Sequence, residues 1–553
     1  MSPISPEPRQ LDDRQRGWLG HEFFAPHEWK RRVTLWLGGC VVGLAAVGFA
    51  QASDLAFEGF EWVRLRWPWA PLIITPAMFA LLAWLTSGFM QPTRGSGIPQ
   101  VIAALSVEQA AFRHRLLSLP IALGKMLLTL LALLGGASVG REGPTVHVGA
   151  GLMLWIGRLA RFTDARVLSR FVLAGGGAGI AAAFNTPLAG VVFAIEELAG
   201  SFEHRFSGII LTAVIFAGAV SLGLLGNYAY FGQVQGVLPF GTEWLCVLAC
   251  GLTCGLLGGG FARCLLLSDR WLSGVVRLRT AHPVAFAAGC GGLLALLGVF
   301  TGGIVFGTGY AEAHRLVQGE GELLAGFGVL KLLANVLSYW AGIPGGIFSP
   351  ALAVGAGVGD MLSSLFPGVD APVVVLLGMA GFLAGVTQAP LTAAVISLEL
   401  TANRTLVLPI MACCLLGRAA SSLLCPTPIY RAFAARLIET YEQSQEADVA
   451  QQPAASAAEA GTPAVDEPAQ ALAADEVPTK PPSGRAESTD SVHAIPAGDG
   501  GPPPASGHDP LADDVRATGE PAPSTRRHES ADRHDGDEQG DAQGEPPVPA
   551  GRD

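Results

Sequence analysis

Gly140-Arg141-Glu142-Gly143-Pro144 sets an arginine and a glutamate side by side between two apolar runs, Leu127–Leu134 and Val146–Ile156. Ionisable residues at membrane depth cost roughly 2.5–3.5 kcal/mol each at a helix centre, so such a pair marks a route for ions or protons. The glycines permit a broken backbone. Pro144 suits the first turn of a helix, where its missing N–H is not needed. A helix that starts inside the bilayer aims free N–H groups and a positive dipole end at whatever precedes it. An anion is attracted to such a place, and so is the carboxylate of Glu142.

The pattern recurs. Gly95-Ser96-Gly97-Ile98-Pro99 precedes a short apolar run, Val101–Leu105, and Gly342-Ile343-Pro344-Gly345-Gly346-Ile347-Phe348-Ser349-Pro350 precedes another helical stretch. Broken helices at membrane depth are tolerated only where they are buried in protein or line a cavity. The Ser96 hydroxyl could donate to an anion or serve as an ordinary N-cap. An acidic pair, Glu196-Glu197, sits in the run Leu188–Leu198. It reads either as a proton-carrying acid or as a helix-end cap in a salt bridge with a base such as Arg205. Ser349 carries no functional reading at this stage.

Other polar residues invite plainer readings. His147 follows Glu142 by five residues, which places the two about 140° apart around a helix, so a packed or hydrogen-bonded histidine is expected rather than a direct relay. Lys125 and Lys331 are expected to neutralise nearby acids or to snorkel. Cys246, Cys250 and Cys254 share a helix face, but the spacing is not C-x2-C and no histidine is near, so inert buried thiols are expected and no metal or cofactor.

The elements that position these residues are helical and membrane-spanning. Half of the chain is hydrophobic, 15% is charged and the mean hydropathy is +0.42, against about 25% charged residues in soluble domains. Lys30-Arg31-Arg32 precedes the first long apolar run, Val33–Ala50, which predicts a cytoplasmic N-terminus. The polar N-terminal stretch has no apolar core or small-residue cleavage site, so no cleaved signal peptide is expected. A loop is expected from there through Trp69. Further spans are expected at Ala70–Phe89, Leu116–Gly136, Ile209–Leu225, Glu243–Leu267, Val284–Phe300, Leu323–Tyr339, Gly378–Leu400 and Leu406–Leu424. The fold class is therefore an all-α polytopic membrane protein. Its segments are a cytoplasmic stretch 1–32, a membrane body 33–440 with halves at about 33–226 and 241–440, and a tail 441–553. That tail is rich in Pro, Ala and Gly, carries 7 Lys+Arg against 23 Asp+Glu, and is expected to be disordered. The body keeps 28 basic and 23 acidic residues. No nucleic-acid partner is expected.

The halves repeat one another. Pro144–Gly151 matches Pro350–Gly357 at a shift of 206 residues, and Asn185–Leu188 followed by Glu196 matches Gln388–Leu391 followed by Glu399 at a shift of 203. Two shifts this close argue for duplication. Glycine- and proline-broken helices in matching places point to a transporter's midplane site.

GSGIP at 95–99, GREGP at 140–144, GIFSP at 346–350 and the late Tyr430 resemble, in order and approximate spacing, the anion-site signatures of the CLC chloride channel/transporter family. The resemblance covers about residues 30–440. It implies a homodimer in the lipid bilayer, with two inverted halves and one anion pathway per subunit. It implies hydroxyl donors from Ser96 and Tyr430 and backbone N–H donors from Ile347 and Phe348 for chloride. It also implies Glu142 as the external gating glutamate and Glu197 as the internal proton-transfer glutamate. Helix N-termini suit such a site, because they stabilise a dehydrated anion without a fixed full charge that would hold it too tightly. Desolvation favours neutral Glu142, whereas the helix dipoles and Arg141 favour its charged form. By the same resemblance, an acid at the inner position favours Cl⁻/H⁺ exchange of the bacterial type over a passive voltage- or pH-gated chloride channel of the same fold. A bacterial inner (plasma) membrane with both termini cytoplasmic is also expected. The tail shows no sign of the nucleotide-binding regulatory domains of larger members.

Two other classes compete. An intramembrane enzyme using Glu142 with His147 would need a converging nucleophile or metal ligand, and the sequence supplies neither. A scaffold or sensor would place its function in the acidic tail. No G-x4-G-K-[ST] motif supports ATP-driven transport.

Overall fold

Long apolar runs without strand-type alternation fold here as helices, and glycines and prolines decide where each one stops. The structure, a computed structural model, describes residues 26–459 apart from 89, 201–203, 227, 235, 268–272, 321–322 and 325. The helices of the first part are α1 (Pro26–Arg66), α2 (Pro71–Leu85), α3 (Ile98–Ser106), α4 (Ala110–Leu117), α5 (Leu119–Leu134), α6 (Glu142–Leu159), α7 (Ala165–Phe184), α8 (Pro187–Phe193) and α9 (His204–Leu225). A π-helical stretch, Ala194–Ala199, continues α8. The second part holds α10 (Leu245–Leu267), α11 (Ser273–Ala281), α12 (Pro283–Phe300), α13 (Tyr310–Gln318) and α14 (Phe327–Trp340). It continues with α15 (Phe348–Ser363), α16 (Ala371–Thr387), α17 (Pro390–Leu400), α18 (Val407–Leu424) and α19 (Ile429–Glu459).

The duplication read from two short matches extends over seven helices. In order, α2, α3, α5, α6, α7, α8 and α9 correspond to α12, α13, α14, α15, α16, α17 and α18. The shift between helix starts is 212 residues at the first two pairs, 208 at α5 and α14 and 206 at α6 and α15, and it is 203 from the C-terminal ends of α7 and α16 onward. The break between α7 and α8 shows how local sequence encodes the repeat. Asn185 adopts a left-handed φ of 57° and Gln388, 203 residues on, one of 60°. A proline then opens the next helix two residues later, at Pro187 and Pro390. Neither residue is glycine; Asn ends helices this way with little strain, whereas Gln388 is held there with its amide donating to Ser421 and the Cys425 carbonyl.

Several expected boundaries move. The loop expected from residue 51 to Trp69 is mostly helix, because α1 runs for 41 residues to Arg66. The expected span at 70–89 shortens to the 15 residues of α2. The span expected at 116–136 is divided at Ser118, whose extended backbone separates α4 from α5. The span expected at 378–400 is likewise two helices, broken at Gln388-Ala389. Hydropathy alone reads through such breaks, because a helix that stops inside the membrane stays as apolar as one that crosses. The last helix, α19, continues beyond residue 441, where the tail was expected to begin. Ala, Glu and Gln dominate that stretch and all propagate helix well. The rest of the tail and residues 1–25 lie outside the described residues.

Six described helical segments are long and apolar enough to cross a membrane by length and composition. Large apolar side chains such as Leu37, Ile73, Trp84, Leu123 and Phe300 are exposed, an arrangement suited to lipid, since bilayer tails are as apolar as the side chains themselves. Inside, α6 packs on α7 and α15 on α16. Gly149 lies against Gly175 in the first pair and Gly355 against Gly378 in the second, so closely that any side chain would meet backbone. A second apolar cluster joins α2, α5 and α12.

Candidate functional site

Four helices begin at one place: α3 after Gly97, α6 at Glu142, α15 at Phe348 and α19 at Ile429. α3 packs on both α6 and α19, and α6 on α15. The loops before three of these helices are tied to one another. Gly140 and Gly346 exchange two backbone hydrogen bonds, each of 2.7 Å. Gly95 N–H donates to the Ile343 carbonyl at 3.3 Å, and Gly345 N–H returns a bond to the Gly95 carbonyl at 3.1 Å. Gly140 and Gly346 are themselves 206 residues apart, so the antiparallel pair joins equivalent residues of the two halves. A two-fold relation between the halves produces such a contact.

Glu142 is the first residue of α6 and is 1% exposed. Its carboxylate turns away from its own helix to the start of α15. One oxygen accepts a hydrogen bond from the Ser349 hydroxyl. The other accepts from the Ser349 N–H at 3.4 Å. The acid is thus seated at a helix N-terminus, where free N–H groups and the dipole favour negative charge. Ile347 and Phe348 are the N-cap and first residue of that helix, so their amides have no carbonyl one turn back to bond.

Ser96 packs against the first turn of α6. A methyl group at Gly143 would run into the Ser96 hydroxyl and carbonyl, so only glycine allows this approach. Tyr430 enters from α19 and is fully buried. Its hydroxyl has Ser96, Glu197 and Glu142 among its electrostatic neighbours. The Ser96 and Tyr430 hydroxyls lie near one another, but neither is in hydrogen-bond geometry with a partner among the described residues, although both are at least nine-tenths buried. Unsatisfied buried hydroxyls are uncommon. Two of them converging on helix N-termini suit an acceptor that carries negative charge.

The acidic pair divides its work. Glu196 accepts from the N–H groups of Leu391 and Thr392, at 3.2 and 2.6 Å, and so caps α17. Glu197 is 4% exposed, and its Oε1 has no partner among the described residues. Arg431, next in the chain to Tyr430, stands close enough to attract it. The Arg205 side chain considered as a partner from sequence lies outside the described residues.

A family model described as voltage gated chloride channel matches residues 78–422. The chain belongs to the CLC family. Among curated CLC relatives, the H(+)/Cl(-) exchange transporter ClcA of Yersinia pestis is 30% identical over 446 residues, covering 75% of this chain and 89% of its own. ClcA of Citrobacter koseri is 29% identical, with 74% of this chain and 89% of its own covered. Among solved structures, a slow cyanobacterial Cl-/H+ antiporter superposes with a TM-score of 0.65 at 24% identity, over 74% of this chain and 98% of its own. A CLC-type fluoride/proton antiporter gives 0.61 at 24% identity, over 72% and 97%. These superpositions establish a shared CLC fold.

Some polar residues of this CLC chain behave otherwise than expected from sequence. Lys125 neither snorkels nor meets an acid; its ammonium donates to the carbonyls of Thr93, Arg94 and Gly95 at 2.7, 3.5 and 2.5 Å. Lys331, 206 residues on, likewise donates to the carbonyls of Val305, Phe306 and Gly307 at 2.9, 3.1 and 2.9 Å, but it also has the acid expected from sequence, Glu312, as an electrostatic neighbour. Each lysine braces the turn that feeds a short broken helix. Arg141 does not reach for its neighbour Glu142. Its Nη1 donates to the Ala50 carbonyl at 2.6 Å and to Asp54 at 2.5 Å on α1. His147 is buried, with Nε2 2.8 Å from the Leu116 carbonyl, in line with a hydrogen-bonded structural histidine. The cysteines are unpaired, and Cys246, Cys250 and Cys254 are buried.

Two contributors were missed. Ser349 is the nearest donor to Glu142, and its signal was present: it is the second residue of a helix whose N-terminus the motif had already marked. Glu399 was noticed only as a repeat of Glu196, yet it caps α8 through the N–H groups of Leu188 and Ala189.

Proposed function

We propose that this CLC protein exchanges chloride for protons across the membrane, with Glu142 competing against chloride for one anion position. The observation that carries the reading is the seat of the Glu142 carboxylate on the first turn of α15, held by the Ser349 hydroxyl and N–H. A carboxylate and a halide want the same surroundings: N–H and O–H donors at helix starts, without a full fixed cation. Protonation removes the reason for the carboxylate to stay, and an incoming chloride replaces it. Ser96 and Tyr430 supply hydroxyl donors for the central chloride, and the amides of Ile347 and Phe348 supply N–H donors. Glu197, buried near Tyr430, passes protons toward the inner face.

The curated relatives named as H(+)/Cl(-) exchangers support the same reading. In this scheme the protein is a transporter rather than an enzyme and works as a homodimer with one pathway per subunit. It resides in a bacterial inner membrane with both termini in the cytoplasm. The deciding experiment uses the purified chain in liposomes, where an imposed chloride gradient should drive protons uphill. Chloride flux with no proton movement would make it a channel of the same fold instead.

A further inference from the structure

Two neighbouring cavities open on the face that carries α19, and the smaller of them reaches Ser96. One has a volume of about 560 Å³ and the other about 330 Å³, and both are lined by Arg94, Arg279, Tyr339, Phe433 and Arg436. Neither has an aspartate or glutamate among its lining residues. Arg94 and Arg279 stand close enough to repel one another. Two of the three shared arginines are braced. Arg94 donates to Thr86 and Ser87 at 3.4 and 3.2 Å, and Arg436 donates to the Leu266 carbonyl at 2.7 Å with its guanidinium near the Phe433 ring. Arg279, on α11, has no hydrogen bond or ion pair among the described residues.

We infer that these cavities form a binding site for a polyvalent oxyanion of the phosphate class, which on binding obstructs the approach to Ser96. Clustered guanidinium groups without a carboxylate are unfavourable until an anion joins them. Their planar forks match the oxygens of a phosphate bidentately, which a spherical halide cannot do. The larger cavity has the size of a small-molecule site rather than that of a single ion. Binding follows from the cavities alone, whereas the obstruction of transport rests on the proposed function.

Pyrophosphate is the probe. With the full chain in detergent and chloride replaced by isethionate, calorimetric titration should give saturable binding. Arg279→Gln removes one charge-assisted fork and should weaken that binding by about tenfold. In liposomes with pyrophosphate on both faces and ionic strength matched by gluconate, chloride efflux should fall severalfold. Arg279→Gln should need about ten times more pyrophosphate for the same fall, while efflux without pyrophosphate persists. Absence of calorimetric binding overturns the site, and so does equal binding by the parent chain and Arg279→Gln. Should Arg279→Gln merely slow chloride at low ionic strength and leave pyrophosphate binding intact, the arginines steer chloride and the inference fails. A chain that binds pyrophosphate but moves no chloride keeps the site and refutes the transport reading.

Discussion

Glu196 and Glu399 cap each other's half of the molecule. Glu196 holds the N–H groups of Leu391 and Thr392 at 3.2 and 2.6 Å, and Glu399 holds those of Leu188 and Ala189 at 3.2 and 2.6 Å. The two acids and their two pairs of donors are each related by the same shift of 203 residues. Each carboxylate lies at a helix N-terminus, where its charge is stabilised by the dipole as well as by two donors.

This reciprocity has a measurable cost when broken. An amide offers one acceptor where the carboxylate offered two, so Glu196→Gln and Glu399→Gln should each destabilise the fold by about 1–3 kcal/mol. Both acids clamp the same pair of helices, so the double variant should lose less than the sum of the two. Thermal unfolding of the three variants in one detergent gives the comparison. Unchanged melting in either single variant would contradict the clamp.

Glu142→Gln tests the contest for the anion seat. The neutral amide keeps the shape but loses the charge that holds it to α15. Chloride should continue to cross, proton movement should fall to background, and the pH dependence of chloride flux should flatten. Paired chloride-electrode and pH-electrode recordings read all three, and surviving proton coupling would be decisive against the role given to Glu142.

Glu197→Gln separates the proton route from the chloride route. Its carboxylate is buried beside Tyr430 and makes no capping bond, unlike its neighbour. Proton transport should drop at least tenfold with chloride flux within about twofold of the parent, given that general proton-transfer groups contribute roughly 10²–10⁴-fold. A variant that still couples fully assigns the inner acid elsewhere.

Ser349→Ala probes a donor that hydropathy and motif matching passed over. Losing a hydrogen bond to a charged group costs roughly 1.5–3 kcal/mol. The carboxylate should leave its seat more readily, so half-maximal flux should be reached at about tenfold lower chloride. Ser349→Thr, which keeps the hydroxyl, should restore the parent value in the same assay.

The helical class, the duplication and three of the breaks at the site were legible in the sequence, because glycine–proline punctuation within apolar runs has few other uses, whereas the meeting of Ser96, Glu142 and Phe348 with Tyr430 came from the resemblance to the CLC signatures. The interruptions at Ser118 and at Gln388-Ala389 were not. A helix that ends within the membrane remains apolar, and only its backbone angles betray the stop. Lys125 was misread for a related reason. From sequence, a lysine in an apolar span calls for an acid or for water, whereas a cluster of loop carbonyls satisfies its three donors without either. The Glu196–Glu399 exchange needed both halves in view at once. Its two matches were visible singly, but nothing in a linear chain shows that each acid serves the other's helix.

The bonds between Gly140 and Gly346, and between Gly95 and residues 343–345, fasten the two inverted halves together at their shared centre. Transporters with inverted repeats commonly alternate by rocking one bundle against the other about a fixed midplane site. Here that motion would shear four backbone bonds where the helix starts meet. The scaffold is therefore welded where other machines hinge. In the exchange proposed above, transport would call for no large cycle of shape, only the swing of one acid a few bonds long.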